Sequence, residues 1–220
     1  MSSEATSAGS NIVPIPEVLP IFPLPDVVFF PYTYLPLHIF EPRYREMVED
    51  AASTEECIGM ALLKDEWEDH DQDTPPIFEL GCVGQLVSVN PLSDGRYNIV
   101  LKGLRRCTYL EQRVDTSYRQ AKVNLLSSQE GEELDITLRG TLMESAERYL
   151  ESKKAHDLCQ IIASGKLCDQ TLVNSLSAGL DFTSVEKQFL LESENLLQHA
   201  RRLTDLIRFK LPNLQSPAQG

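Results

Sequence analysis

The sequence is short of basic residues and contains no long apolar run. Lys and Arg number 20 against 33 Asp and Glu, so the formal net charge of the 220 residues is −13. Because nucleic-acid backbones and anionic membranes are held mainly by excess Lys and Arg, this balance argues against both as partners. No stretch approaches the roughly 20 apolar residues that a membrane-spanning helix requires.

Motifs that carry nucleotide or hydrolytic chemistry are also missing. A phosphate-binding loop needs G-x-x-x-x-G-K-[ST], whose backbone N–H groups and Lys contact the phosphates. The one Gly-Lys pair, Gly165-Lys166, is followed by Leu167, and Gln160 occupies the position of the first Gly. The G-x-S-x-G motif of many hydrolases is absent as well. We therefore expect no cofactor and no enzymatic activity.

The cysteines form no recognisable disulfide or metal pattern. They are odd in number and widely separated, at Cys57, Cys82, Cys107, Cys159 and Cys168. This usage is typical of free thiols in a reducing compartment, so we expect a cytoplasmic protein. His156 lies one helical turn before Cys159, but no second pair of ligands completes a tetrahedral site, and we expect no bound metal.

The first half of the chain has the pattern of a small β-domain with one inserted helix. The predicted strands are Val18–Leu24, Phe29–Phe40, Cys57–Leu63, Ile77–Asn90, Arg96–Leu101, Cys107–Val114 and Arg119–Leu126. Prolines in the first two predict edge, bulged or bent strands, because proline cannot donate to the β-ladder. Glu41–Ala52 is predicted to be a helix, since its apolar residues recur at spacings of 3, 4 and 7. Short strands joined by hairpins favour a small barrel or sandwich.

The second half has helical periodicity. Leu134, Leu138, Leu142, Ala146 and Tyr149 form one apolar stripe. Further helices are predicted over Ala155–Ser164, Gln170–Ala178 and Ser184–Phe209. The last is predicted as one continuous helix of roughly 39 Å that begins with a Thr183/Glu186 capping box and stops at Pro212. A helical bundle packed on the β half is the expected arrangement.

Two blocks resemble the N-terminal substrate-binding domain of Lon proteases. They are Leu19–Pro31 and Leu35–Tyr44, and the second block is the more specific. Weaker matches follow in the family's order at Met47, Gly84, Asp94–Ile99, Gly103–Arg106, Tyr118 with Ala121, Leu180–Phe182 and Lys187–Glu192. The resemblance covers Leu19 to Arg208, with two mild departures: Tyr32 where the family often has Gly, and Ser117 where it often has Pro.

The resemblance implies a fold and a division of the chain. The fold would be α+β, with a PUA-like pseudo β-barrel of short, mostly antiparallel strands, one inserted helix and a C-terminal helical bundle. The barrel would occupy residues 13–128 and the bundle residues 129–212, between a disordered tail at 1–12 and a second tail at 213–220. Residues 1–12 lack the basic start and apolar core of a secretory signal.

The resemblance also implies a function, namely binding of protein or peptide without cleavage. Full-length Lon proteases continue with ATPase and protease domains, whereas this sequence ends at Gly220, so we expect a stand-alone form. Ser7 and Ser177 share the Ser-Ala-Gly context of the family's nucleophile, but Pro-Lys-Asp-Gly-Pro precedes neither. An adaptor role in protein quality control is one hypothesis. The alternatives are a peptidase-related hydrolase and an RNA-binding PUA-like module.

Eight residues are candidates for contact with unfolded protein, peptide or a protein partner. They are His38, Glu41, Arg43, Tyr44, Trp67, Arg96, Arg105 and Arg106. Part of the block formed by the first four would lie at the rim of a groove for extended polypeptide, beside strands open to β-augmentation. A structural reading is also open, in which Glu41 caps the helix, Arg43 pairs with an acid and Tyr44 faces the core. Trp67 lies in the acidic run Asp65–Asp73, and the other three arginines would neutralise acidic groups of a partner. The oligomeric state stays open.

Overall fold

A computed structural model describes residues 14–64, 75–113, 115–128, 131–154 and 167–215. Its elements are β1 (Val18–Leu24), β2 (Tyr34–Ile39), α1 (Pro42–Ala52), β3 (Cys57–Leu62), β4 (Leu80–Pro91), β5 (Tyr97–Arg113), β6 (Gln120–Leu125), α2 (Ile136–Ser152), α3 (Asp169–Gly179), α4 (Ser184–Leu191) and α5 (Leu196–Gln215). The predicted helix Ala155–Ser164 and the acidic run with Trp67 lie outside the described residues.

The six strands form one sheet that closes on itself. Their order is β2-β5-β4-β3-β1-β6, and β6 also pairs back onto β5, so five strands make a ring with β2 outside it. Only β1 and β3 run parallel; the other pairings are antiparallel. The α+β class, the barrel of mostly antiparallel strands, the inserted helix and the helices that follow are therefore confirmed.

Strand β5 replaces two predicted strands. The predicted segments Arg96–Leu101 and Cys107–Val114 fall largely within the single 17-residue strand Tyr97–Arg113, because the residues between them stay paired with β4, and Val114 lies outside the described residues. Register shifts next to Gly84 and after Leu86 allow β4 and β5 to coil together. At Gly103 the backbone of Phe30 approaches so closely that an added Cβ would lie 2.1 Å from its carbonyl oxygen. A glycine is therefore required where the β1–β2 connection crosses β5.

The prolines of the first two strands have different consequences. The expectation of an edge strand is wrong for β1, which has a neighbour on each side. The neighbours are staggered, however: Pro20 lies where β1 pairs with β6, and Pro23 lies where it pairs with β3. The predicted strand Phe29–Phe40 shortens to β2, because Tyr32 turns the chain with a φ of 63°. This left-handed conformation favours glycine, which is the residue that the resembling family often has there.

The barrel and the helices share a buried boundary that Arg106 dominates. Val28 and Phe30, from the connection between β1 and β2, are buried in the core of the helical half. Arg106 of β5 is 8% exposed and donates hydrogen bonds to the backbone carbonyls of Leu191, at 2.9 Å, and of Ser193. These carbonyls belong to the connection between α4 and α5, so one barrel side chain fixes the place where two helices meet.

The prediction of one continuous helix from Ser184 to Phe209 is wrong. The capping box at Thr183 is confirmed, but α4 ends at Leu191 and α5 begins at Leu196. The break is held by partners distant in sequence, since Arg106 binds its carbonyls and the Glu132 carboxylate accepts the N–H of Leu196 at 2.8 Å. Helix α5 also continues past Pro212 to Gln215. Proline removes one backbone hydrogen bond, yet the residues after it can keep helical dihedrals.

A buried Ser–His pair joins α3 and α5 in the helical half. The Ser177 hydroxyl donates to the carbonyl of Val173 at 2.8 Å, so its oxygen accepts from Nε2–H of His199 at 2.8 Å. The imidazole stacks on Phe30, with 5.9 Å between ring centroids. Burial, together with the nearby cations Arg106 and Arg202, lowers the pKa of His199 to about 3. His199 is thus a neutral donor in the folded protein.

We expect His199 to destabilise the protein in acid. The unfolded chain takes up a proton near pH 6.5 and the folded chain only near pH 3, so its contribution is complete above about pH 7 and is lost as the pH falls toward 3. Between about pH 6 and pH 4 the free energy of unfolding, measured with urea, should fall by about 1.4 kcal/mol per pH unit more in the wild type than in His199→Gln. Replacement of the exposed His38 with Gln is the control. Parallel curves for the wild type and His199→Gln would show that His199 is protonated in the fold.

Arg119 is a second buried cation. It is 7% exposed, and neither terminal nitrogen of its guanidinium has a hydrogen-bond partner within the described residues. Burial lowers its pKa, because charge is costly away from water. We expect Arg119→Met to raise the free energy of unfolding by about 1–3 kcal/mol. The exposed Arg113→Met should change it by less than about 0.5 kcal/mol. A loss of stability in Arg119→Met would instead indicate a counter-ion or solvent bound to the guanidinium.

Candidate functional site

The solvent-facing side of β2 and β5 forms the candidate site, here called the outer β2 face. Leu35, Leu37 and Ile39 point toward the core under α1. Side chains alternate along a strand, so the intervening residues of β2 lie on the opposite side. The outer β2 face consists of Tyr34, Pro36 and His38 on β2, their partners Lys102, Val100 and Asn98 on β5, and Phe40 just beyond β2.

Two aromatic side chains mark the ends of this face. Tyr34 is 64% exposed and Phe40 is 61% exposed. Six residues of extended chain separate them by roughly 20 Å. Between them lies a shallow cavity of about 320 Å³, lined in part by Pro36, Asn98 and Val100. Large exposed aromatic groups beside a concave surface are typical of a binding surface for polypeptide.

A chain of polar contacts crosses the same face. Asp94 and Arg96 form an ion pair of 2.6 Å, and Nη1 of Arg96 lies 3.2 Å from Nε2 of His38. Because a guanidinium can only donate, Nε2 accepts, and the ring proton lies on Nδ1. Nδ1–H then donates to Oδ1 of Asn98 at 2.7 Å, while the imidazole also stacks on Phe40. Polar groups of His38 and Asn98 therefore lie between the two exposed rings, and Arg96 lies level with Phe40.

The outer edge of β2 leaves backbone groups without a strand neighbour. Gly103 N–H donates to the carbonyl of Thr33, so hydrogen-bonded pairs with β5 recur at every second residue of β2 after Thr33. The N–H and C=O groups of Tyr34 and His38 therefore point away from β5. Pro36 lies between them and has no N–H to offer. A bound strand could therefore form backbone hydrogen bonds with Tyr34 and with His38, but it would find no N–H donor at Pro36 between them.

The predicted block from His38 to Tyr44 divides between surface and core. His38 lies on the outer β2 face, whereas Tyr44 is buried and packs on Phe22 with 4.3 Å between ring centroids. Arg43 pairs with Glu41 at 2.9 Å and its guanidinium lies 4.6 Å from the centre of the Tyr44 ring. Glu41 stands at the N-cap position of α1 but its side chain makes no capping hydrogen bond. Tyr44 and Arg43 thus have the structural roles that were the alternative expectation, since Tyr44 faces the core and Arg43 pairs with an acid, whereas Glu41 does not cap the helix.

The three predicted arginines do not form one cluster. Arg96 lies on the outer β2 face, and Arg105 is nine residues further along the same extended chain, roughly 30 Å away. Arg105 is half-buried in a small cavity next to Tyr32 and Ser127. The expectation that Arg106 contacts a partner needs correction. Its guanidinium is engaged with backbone carbonyls at the α4–α5 connection and is unavailable to a partner. Trp67 lies outside the described residues.

Sequence reasoning missed Tyr34 and Phe40, the two large hydrophobic side chains that are exposed in the site. The alternation in Tyr34–Ile39 could have indicated that Tyr34 faces outward. Two leucines and an isoleucine alternate there with Tyr34, Pro36 and His38, which leaves these three on the outer side. Lys102 was missed too. It lies directly across from Tyr34 and makes no ion pair with any residue that the structure describes.

The described residues offer little for catalysis or metal binding. Ser177 has no exposed surface, and its oxygen is occupied by Val173 and His199. Within the described ranges, no three His, Cys, Asp or Glu side chains lie close enough together to hold a metal ion. Burial raises the pKa of Cys57 to about 11 and of Cys107 to about 12, so these thiols are weak nucleophiles. In the part of the chain that the structure describes, none of the helices could cross a bilayer.

A ring of five strands with a sixth strand beside it, one inserted helix and a set of C-terminal helices places the chain in the α+β class. Residues 18–208 match the family described as the ATP-dependent protease La (LON) substrate-binding domain. The match covers most of the 220 residues, and the chain belongs to this family.

Relatives among known proteins agree with this assignment. Lon protease 2 of Myxococcus xanthus is 28% identical over 204 residues, which cover 89% of this chain and 24% of that protein. The Lon protease of Dictyoglomus thermophilum is 27% identical over 208 residues, which cover 91% of this chain and 25% of the relative. The chain thus spans about a quarter of the length of these curated relatives.

Two solved structures share the fold. The Lon N-terminal domain protein from Xanthomonas campestris has a TM-score of 0.65 and 23% identity, over 87% of this chain and 98% of that one. The N-terminal domain of the Mycobacterium avium complex Lon protease has a TM-score of 0.64 and 16% identity, with the same coverage.

Proposed function

We propose that this protein binds extended segments of unfolded polypeptide on the outer β2 face and does not cleave them. Membership of a substrate-binding family supports binding in general. The observation that carries the choice of surface is the exposure of Tyr34 and Phe40 at the two ends of an edge strand. Each aromatic ring would pack against an apolar side chain of the client, and water expelled from these contacts would supply most of the affinity.

The spacing of the site suits an extended client. A segment of about six residues would span the distance between the two rings, with alternate side chains directed toward the protein. Backbone groups of the client would pair with Tyr34 and His38 at the edge of β2. Asn98 would contact polar groups of the client between the two rings, and Arg96 would contact them beside Phe40. Because backbone pairing ignores side-chain identity, the site would accept many sequences that carry two apolar residues at this spacing.

The cellular role that we propose is an adaptor in protein quality control. A domain that holds unfolded segments without cutting them could present them to a separate enzyme. A cytoplasmic location fits the buried thiols Cys57, Cys82 and Cys107, which form no disulfide. Within the described ranges the two alternatives have less support: Ser177 is not accessible as the nucleophile of a hydrolase, and the outer β2 face lacks the basic surface that an RNA-binding module would need.

Truncation of the aromatic anchors should weaken binding. We expect fluorescein-labelled casein, an unfolded protein, to bind the wild type in an anisotropy titration. Tyr34→Ser and Phe40→Ser should each cost about 1–2 kcal/mol, a rise in Kd of roughly five- to thirtyfold. The matched control is Leu110→Ser, which removes an apolar side chain that is 55% exposed elsewhere on β5.

Casein should also keep its full length on a denaturing gel after prolonged incubation with the protein. Equal Kd values for the wild type and both aromatic variants would place the client elsewhere. Shortened casein, in a preparation free of contaminating protease, would refute the non-catalytic role.

Restoring an N–H at position 36 tests whether the strand edge takes part. Pro36→Thr would complete the row of backbone donors on the outer edge of β2, and one added hydrogen bond is worth about 1 kcal/mol, roughly fivefold in casein affinity. The variant should also self-associate more readily in sedimentation experiments, because proline protects edge strands from pairing. If neither casein affinity nor self-association increases, the client contacts side chains of the face and not the edge.

A further inference from the structure

The shallow cavity of the outer β2 face has walls of two kinds. Pro36 and Val100, which lie opposite each other on β2 and β5, give it an apolar floor. His38, Asn98 and Asn90 give it a polar side, and Asn90 of β4 lies directly across from Asn98. The volume is about 320 Å³. Because a cavity of about 150 Å³ can hold a benzene molecule, this one has room for one aromatic side chain.

Asn98 offers an unused hydrogen-bond donor at the polar side of the cavity. Its Oδ1 accepts from Nδ1–H of His38 at 2.7 Å. Its amide nitrogen, Nδ2, makes no hydrogen bond with any residue that the structure describes. A bound side chain that ends in an acceptor atom would satisfy this donor, whereas a side chain that ends only in a donor would not.

The distance from the edge of β2 restricts the length of such a side chain. Neighbouring strands lie about 4.8 Å apart, so a client strand paired with β2 lies about 9–10 Å from β5. A client side chain must therefore cross Pro36 before it reaches Asn98. Only the long side chains extend so far, and a flat ring packs well on the ring of Pro36 and on Val100.

The charges beside the cavity disfavour a basic side chain. Arg96 lies at one end, where Asp94 compensates its charge at 2.6 Å. Lys102 lies at the other end and makes no ion pair within the described residues. A lysine or arginine of the client would therefore approach an uncompensated positive charge. Aspartate and glutamate are shorter and would lose hydration against the apolar floor.

The long aromatic side chains differ in what they present to Asn98. Phenylalanine has no polar atom, and the indole N–H of tryptophan can only donate. The hydroxyl oxygen of tyrosine can accept a hydrogen bond, and its own O–H can face water because the cavity is shallow. Tyrosine thus matches the length, the apolar floor and the free donor together.

We propose that this cavity is a tyrosine subsite, which gives clients of the outer β2 face a preferred residue between the two apolar positions. The ring of the client tyrosine would pack on Pro36 and Val100, and its hydroxyl oxygen would accept from Nδ2 of Asn98. The inference rests on the proposed binding of extended polypeptide, since the client must first lie along β2. It adds a selected side chain to a site whose backbone contacts ignore sequence.

Peptides with one varied position test the subsite. Fluorescein-labelled peptides would carry Leu at the first and seventh positions, to match the spacing of Tyr34 and Phe40, and Ser between them. The varied residue stands at the third position in one set and at the fifth in the other, so that either strand direction places it over Pro36. It is Tyr, Phe, Trp, Glu or Ser.

We expect the tyrosine peptide of one set to bind the full chain about fivefold more tightly than its phenylalanine counterpart. This ratio corresponds to one hydrogen bond between neutral groups. The phenylalanine peptide should in turn bind more tightly than the serine peptide, because its ring still covers the apolar floor. Fluorescence anisotropy gives each Kd.

A substitution at Asn98 localises the hydrogen bond. Asn98→Leu keeps the size of the side chain but removes the donor, so the tyrosine and phenylalanine peptides should bind this variant with Kd values within about twofold of each other. The matched control is Asn124→Leu, at an exposed asparagine of β6, which should keep the fivefold preference. The readout is a ratio within one variant, so a general loss of affinity does not alter it. Circular dichroism checks that each variant is folded.

The outcomes separate the subsite from the proposed function. If casein binds but the tyrosine peptides bind no more tightly than the phenylalanine peptides, the subsite is refuted and the binding of unfolded polypeptide stands. A preference that survives in Asn98→Leu, or tighter binding of the Trp or Glu peptide, also refutes it. If neither casein nor any peptide binds, the proposed function fails, and the subsite fails with it.

Discussion

Arg106 joins the barrel to the helices, and much of the remaining architecture depends on this contact. Its side chain extends from β5 into the boundary and donates to carbonyls of Leu191 and Ser193. A guanidinium out of water is costly unless it is hydrogen-bonded, so these backbone acceptors must stay in place. The chain can offer them only where a helix ends. The contact thereby holds the end of α4 and the start of its connection to α5 against the barrel.

The length of β5 has the second large consequence. One part of the 17-residue strand closes the ring with β6, and the other part extends past the ring to carry β2. Because β2 lies outside the ring, its core-facing leucines are covered by α1 while its other side meets water. The outer β2 face therefore combines exposed aromatic rings with polar side chains such as His38 and Asn98.

The candidate site was only partly predictable. His38 and Arg96 could be chosen from the sequence, and the structure brings them to 3.2 Å. The alternation along Tyr34–Ile39 also contained the outward direction of Tyr34, since period-two patterns fix the side of a strand. Arg106 could not be separated from Arg96 and Arg105 in this way. All three are basic residues of one extended segment, and their different burial follows from which neighbours cover each part of β5.

The sequence by itself determined the local elements and the family. Strand β1, helix α1 and the capping box at Thr183 lie where the sequence predicts them, because each depends on residues within a few positions of one another. Closure of the barrel, the break between α4 and α5 and the burial of Arg106 were decided by the tertiary structure. These features depend on contacts between residues far apart in sequence, such as Arg106 with Leu191, and no local pattern records which distant groups will meet.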